Sequence, residues 1–441
     1  MKIFTHYLLL VLLATFTLTG CDLFEVEDRA DPNGPSVNDI LANPTRDALI
    51  NLAAGVEASA RVDHNLYLID VGVIGREYWR TLAADPRFTG DLLGRETSIL
   101  DNNSFYITRP WGARYVTIRN ANIMLQALDL NATLSDAEKA GGRGFAKTFK
   151  ALQYLLNLNL TFQNGIRFIG PGDDDPGPLV DYNSSLMNIA SLLDEGAADL
   201  AAGGDEFFFP LSSGFAGFDT PAGLRMVNRG LAARVALYAG RNGDALTILG
   251  DSFLDDGDAL SAGVNQVFST GSGDITNPIF TPPNNPVGDA ILAHPSYMDD
   301  IEAGDTRADK VFDRGEPATF DGLTSSFGFF VYKNSLSPIS IVRNAELILI
   351  RAEARARTGD LLGAISDIDV IRTAAGLPEY SGAVEEGAVL DEVLNQRRYE
   401  LYGEGHRWID VRRFNQLNTL PIDRAGDDVW TEFPIPLNEG V

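Results

Sequence analysis

Apolar residues recur at steps of three and four along much of this chain, and the pattern is densest between Ile341 and Phe414. Ala345, Ile348, Leu349, Ala352 and Ala356 form one stripe of a 3.6-residue helix. Gly359 stops it, because the left-handed conformation that ends a helix costs glycine little. A second stripe, Leu361, Ala364, Ile365, Ile368 and Ile371, starts almost at once and stops at Gly376, with Pro378 beyond. So short a connection predicts two antiparallel helices, with the small alanines allowing close approach. That economy is tetratricopeptide-like. Leu390, Val393, Leu394 and Leu401 predict a further helix, interrupted by Gly403 and Gly405.

The first half of the chain carries weaker stripes of the same kind. Ala48, Leu52 and Val56 predict a helix over Thr45–Ala60. Trp111, Tyr115, Ile118, Asn122 and Leu125 predict one over Arg109–Leu128. Another is expected from Arg143 to Phe162, opened by Gly141-Gly142 and closed by Gly165, and another over Leu186–Leu200. Leu224–Leu249 reads as a second hairpin. Its Ala236 stands seven residues before Gly243-Asp244, as Ala352 stands before Gly359-Asp360, an internal repeat pointing to several helix pairs. Between Asp251 and Ser340 the periodicity disappears into glycine, proline, serine and aspartate. A structureless stretch of that length is usually functional. The expected fold is mainly α: a helical-hairpin scaffold over about 45–250 and 341–414, bearing a large irregular, loop-rich lobe over about 251–340, in one body from 45 to 441.

Composition narrows the function. The formal net charge of −26 repels nucleic acid and anionic lipid, so neither is an expected ligand. One cysteine, Cys21, excludes an internal disulfide and a cysteine zinc cluster. Its setting explains it. Lys2 precedes an uncharged apolar run from Tyr7 to Leu18, and Leu18-Thr19-Gly20-Cys21 closes it with small residues. This predicts a signal peptide over 1–20. The ending resembles a bacterial lipobox, which implies lipidation of Cys21 and anchorage without a membrane-spanning helix. Asp22 to Pro44, acidic and broken by Pro32, Pro35 and Pro44, is expected to be a flexible tether.

Charged and aromatic residues crowd the C-terminal helices in the run QRRYELYGEGHRWIDVRRF (residues 396–414), after a tetratricopeptide-like hairpin and before Phe433-Pro434-Ile435-Pro436. That combination resembles the SusD/RagB family of nutrient-capturing surface lipoproteins. The segment covers about a quarter of the chain. The helix leading to Ala121-Asn122 resembles the N-terminal half of the same family, less specifically. The resemblance implies a non-catalytic lid on a SusC-like TonB-dependent transporter of the outer membrane, facing the exterior, holding an oligosaccharide or a peptide without a cofactor. It also implies that Arg397, Glu400, Glu404, His406, Arg407, Trp408 and Asp410 are scaffold, the charged groups pairing with one another and with backbone ends.

Other chemistry is poorly represented. His64, His294 and His406 stand in no HExxH spacing, and neither Asp173–Asp175 nor Asp255–Asp258 follows an EF-hand, so no metal site is expected. No GxSxG, GxGxxG or Walker sequence is present. With 61 acidic residues, the carboxylate pair of a glycoside hydrolase is not excluded by counting, and a lipid-anchored surface hydrolase is one rival reading. A protein-binding tetratricopeptide scaffold is another. Sugar rings and peptide side chains stack on aromatic faces while Asp, Asn and Arg bond the polar edges. Aromatics in irregular segments are therefore the candidate ligand contacts: Tyr78, Trp79, Phe88, Tyr106, Tyr297, Phe327 and Tyr332, with Asp70, Arg76, Asn102 and Asn103 beside them. In the family this face is built from N-terminal loops and the central lobe. Trp111 and Trp408, on helical stripes, are expected in the core.

Overall fold

The computed structural model describes residues 36–173, 177–283 and 285–439. The predicted signal peptide, Cys21 and the first part of the tether lie outside the described residues, as do Asp174 and Asp175. The end of the expected tether is not extended. Val37–Ala42 forms helix α1. Ser36 accepts the Asp39 N–H while the Asp39 carboxylate accepts the Ser36 N–H, a reciprocal cap that satisfies free helix-end amides.

Helices dominate, as the stripes predict. α2 (Arg46–Ala60) is capped by Thr45 and buries Leu49, Ala53, Val56 and Ala60, a line rotated slightly from the predicted Ala48–Leu52 stripe. α3 (His64–Ile74) is buried along nearly its whole length. α4 (Phe105–Leu130), α5 (Asp136–Thr161), α6 (Tyr182–Ala201), α7 (Pro221–Tyr238) and α8 (Asn242–Leu249) follow, each packed against the one before it. Gly141-Gly142 does not open α5. The helix starts two turns earlier at Ser135, whose hydroxyl and the Glu138 carboxylate cap each other's N–H groups. The glycines lie inside it because α6 and the chain after it approach too closely for side chains. A Cβ on Gly141 would stand 3.3 Å from the Gly203 carbonyl oxygen, and one on Gly144 would stand 2.8 Å from that of Gly196.

The proposed repeat does not align. Gly359 takes φ 89° at the end of α10 (Asn344–Arg357), whereas the turn after α7 is made by Gly240, φ 70°, and Gly243 sits inside α8. The C-terminal hairpin itself is as predicted: α10, then α11 (Leu361–Ala374) ended by Gly376 at φ 80°. α12 (Glu386–Glu400) and α13 (Arg407–Arg413) follow, separated by Gly403 and Gly405 at φ 78° and 82°.

The lobe between α8 and α10 holds a short helix, α9 (Ser296–Asp300), and strands that periodicity alone passes over. β1 (Tyr78–Leu82), β3 (Asp289–Ala293), β5 (Leu323–Phe329) and β4 (Val311–Phe320) make an antiparallel sheet in that order. β2 (Gly263–Gln266) pairs with β6 (Ile339–Arg343), which runs straight into α10. Asp321 and Gly322, at φ 51° and 80°, turn β4 into β5, the Asp-Gly geometry a two-residue hairpin requires. The β4–β5 register breaks between Asp313 and Ala318, and that bulge destroys the alternation that marks a strand. The sheet packs on the helices through Phe329, Tyr78 and Tyr402, with Phe329 4.7 Å from Tyr78 and 5.6 Å from Tyr402.

The signature residues form a buried polar frame, with partners partly different from those expected. Arg397 donates to Asp410 at 2.7 Å. Glu400 and Glu404 pair instead with Arg343 at the end of β6, at 2.7 and 2.8 Å. This fastens the α12–α13 turn to the start of α10. His406 is buried, and burial pushes its imidazole down to about 4, so it is neutral. Trp408 lies in the core and donates to the Trp430 carbonyl. Arg407 makes none of the expected pairs.

Candidate functional site

Eight of the eleven residues proposed from sequence as ligand contacts are buried: Asp70, Arg76, Tyr78, Trp79, Phe88, Tyr106, Tyr297 and Tyr332. Three of them do converge. Tyr78, Tyr297 and Tyr332 gather around Tyr402 and Phe329, with Tyr297 4.2 Å from Tyr402 and Phe329 5.8 Å from Tyr332. That gathering is an internal aromatic cluster. Each hydroxyl is spent on a carbonyl: Tyr78 on Leu68, Tyr297 on Arg307, Tyr332 on Gly403. Tyr106 donates to Asp91 at 3.0 Å. Trp79 donates to Asp423 and meets His294 edge-on at 5.0 Å, and Phe88 meets Phe105 at 5.0 Å. Arg76 binds the carbonyls of Pro421, Ile74 and Asp428. Asp70 is enclosed with both oxygens unpartnered, and burial raises its pKa well above the usual carboxylate range. A ring enclosed on both faces has no surface for a ligand, so these side chains are corrected from contacts to core. Phe327 and Asn102 are half-buried and Asn103 is exposed, and none of the three lines a described cavity.

A cavity of about 590 Å³, the largest of those described, lies elsewhere. One wall is the face of α4 carrying Gly112, Tyr115, Val116, Arg119, Asn122, Ile123 and Gln126, at the three- and four-residue spacing of one helix side. α1 supplies Val37, Asn38 and Leu41, and the loop after α5 supplies Ile169, Gly170, Gly172 and Asp173.

Its floor is fastened by hydrogen bonds. The Tyr115 hydroxyl donates to the Arg167 carbonyl at 2.8 Å and accepts the Arg167 N–H at 3.0 Å. Asn122 donates to the carbonyls of Ile169 and Gly170, both at 3.1 Å, and accepts Lys150 at 2.6 Å. Lys150 also donates to Ile169, and burial pushes its ammonium down to about 8. Tyr154 both donates to and accepts from Ile169. The Tyr115 ring is half-buried, backed by Trp111 at 5.1 Å and Tyr154 at 6.3 Å. The groove thus offers a fixed aromatic ring, donors on Arg119, Asn38 and Gln126, and an acceptor on Asp173. Ring plus edge-bonding groups is the chemistry a polyhydroxylated or peptidic ligand needs. Sequence reasoning assigned Tyr115 and Asn122 to a buried stripe. The overlooked signal is that an asparagine and a tyrosine share that stripe with Arg119 and Gln126 close by.

Residues 329–429 match the family model described as the SusD family. A curated relative, the SusD-like protein P38 of Formosa agariphila, is 32% identical over 120 residues, which is 22% of this chain and 24% of that protein's length. The alignment therefore spans about a quarter of the relative. Solved structures extend the likeness to the fold as a whole. A laminarin-binding SusD-like protein superposes with a TM-score of 0.64 at 17% identity, over 89% of this chain and 96% of that one. Surface glycan-binding protein A from Bacteroides uniformis gives 0.67 at 17% identity, over 90% and 97%. The C-terminal signature is thus matched in sequence by the SusD family, and the described body shares its fold with SusD-like structures.

Proposed function

We propose that this protein is a non-catalytic, lipid-anchored surface protein that captures an oligosaccharide in the α1–α4 groove and delivers it to a SusC-like TonB-dependent transporter, for which it acts as a hinged lid. The observation that carries the reading is the groove itself: a half-exposed Tyr115 ring held rigidly beside guanidinium, amide and carboxylate groups, on a fold shared with proteins described as glycan-binding. Stacking plus hydrogen bonding binds a sugar without altering it. Anchorage would come from lipidated Cys21, exposed by removal of residues 1–20, with a tether ending before α1. No helix among the described residues is long and apolar enough to cross a membrane.

The test is calorimetric titration of the protein with soluble glycans, laminarin oligosaccharides first, in wild type and Tyr115→Ala. Binding that weakens about five- to thirteenfold in the variant, with an unchanged far-ultraviolet spectrum, is expected from the loss of one stacking ring, about 1–1.5 kcal/mol. Equal affinity in both proteins removes the groove from the reading. Release of shortened sugars from any glycan would replace the binder with the hydrolase.

A further inference from the structure

A second cavity, of about 30 Å³, lies between α3, α5, α7 and β6, under the α12–α13 turn. Gln153 and Asn159 of α5, Ser340 of β6 and His406 at the end of the turn border it, with His64 of α3 and Arg234 of α7 beside them.

Much of the hydrogen-bonding capacity around this space is unspent among the described residues. Gln153 is fully buried, and neither its oxygen nor its nitrogen has a partner. Asn159 donates to the Tyr67 hydroxyl at 3.1 Å, which leaves its Oδ1 unpartnered. The Ser340 hydroxyl and the His406 Nδ1 are unpartnered as well. His64 adds an acceptor. Gln266 gives its amide to the Ala60 carbonyl at 3.1 Å, so its oxygen takes the His64 Nδ1–H at 2.8 Å. Burial keeps the His64 ring neutral, with a pKa pushed down to about 3, and its Nε2 therefore carries a lone pair. Five unpartnered buried atoms on residues around one small space are costly unless a guest bonds them.

The chemistry of the set decides the guest. A cation needs a shell of oxygens, whereas Gln153 also presents an amide donor and the Arg234 guanidinium borders the same space. An anion needs donors, whereas the Asn159 and Gln153 oxygens and the His64 Nε2 accept. The Arg234 charge is already met by Glu346, at 2.5 and 2.6 Å. A guest that both donates and accepts suits so mixed a set. Each water needs about 10–15 Å³ of such space and makes about three hydrogen bonds, so about two fit and carry bonds enough for five atoms.

We propose that this cavity is a binding site for about two ordered water molecules, which bridge α5 to β6 and to the α12–α13 turn. The site shares no residue with the α1–α4 groove, so it stands whether or not the groove binds glycan.

High-resolution crystal structures of wild type and Gln153→Leu, with urea unfolding of both, test it. Wild type is expected to show about two ordered peaks of density in the cavity, within hydrogen-bond distance of Gln153, Asn159, Ser340 or His406. Gln153→Leu loses at least one peak, and its unfolding equilibrium constant rises at least about fivefold with the bridged bonds gone. A dry cavity predicts the opposite sign, because exchanging an unpartnered amide for an apolar group leaves stability equal or raises it. If Gln153→Leu does not fold, Ser340→Ala, at a half-buried position, carries the comparison. Wild-type crystals soaked in sodium bromide are expected to give no anomalous peak in the cavity. No density in wild type, an anomalous bromide peak, or a variant as stable as wild type overturns the proposal.

Discussion

Glu77 makes the energetics of the interior measurable. It lies between α3 and β1, with its side chain under the α12–α13 turn. Its Oε1 accepts the Gly403 N–H at 3.1 Å, its Oε2 is buried without a partner, and its own carbonyl accepts from the His294 N–H and the Tyr402 hydroxyl. Burial pushes its pKa from 4.5 to about 8, against the opposing pull of the Gly403 N–H and the Arg407 charge. The sign follows. A carboxyl raised on folding contributes most below pH 4.5 and loses that contribution as the pH climbs toward 8. Each unit in that window removes about 1.4 kcal/mol, so about 3.4 kcal/mol is gone by neutral pH. Glu77→Gln keeps an acceptor for Gly403 and places N–H donors where the acid holds its proton, but it does not titrate. Urea unfolding of both proteins across about pH 5 to 8, compared at matched slopes, should show the variant gaining on wild type by about 1.4 kcal/mol per pH unit. Parallel stability curves would refute the reasoning, because they would mean that Glu77 ionises as easily folded as unfolded.

Two more outcomes follow from the packing. Burial pushes Asp410 up, but Arg397 and then Arg413 outweigh it and hold its pKa down to about 2. Asp410→Asn leaves Arg397 buried without its counter-charge and is expected to cost about 3–5 kcal/mol at neutral pH. About 2.4 kcal/mol of that difference should vanish as the pH falls from 3.8 through 2, in thermal or urea unfolding. Gly144→Ala drives a methyl group against Leu200 and the Gly196 carbonyl, spreading α5 from α6. A loss of about 1–3 kcal/mol in denaturant unfolding is expected, against a gain of about 1 kcal/mol for the same change at an open helical glycine. A gain at Gly144 would show that the close approach is not tight.

Helices and their stops were legible because both are local. Ala345 to Ala356 repeats within the reach of one turn after another, and Gly359, Gly376, Gly403 and Gly405 adopt left-handed angles that the backbone demands of their own position. The Ser135-to-Glu138 and Asp321-Gly322 signals were in the chain too, but stripe counting weighs apolar residues and passes over a cap or a two-residue turn. What the sequence by itself determined was therefore a mainly helical body, its C-terminal hairpin and the family signature. Tertiary structure decided which aromatic rings face water. Tyr78 and Tyr297 sit in segments whose sequence has no helical periodicity yet are enclosed by Tyr402, whereas Tyr115 sits on a regular stripe yet borders the groove. That cavity draws its walls from residues 37–41, 112–126 and 169–173. Exposure depends on what other segments lay over a side chain, and no stretch of sequence encodes its own cover.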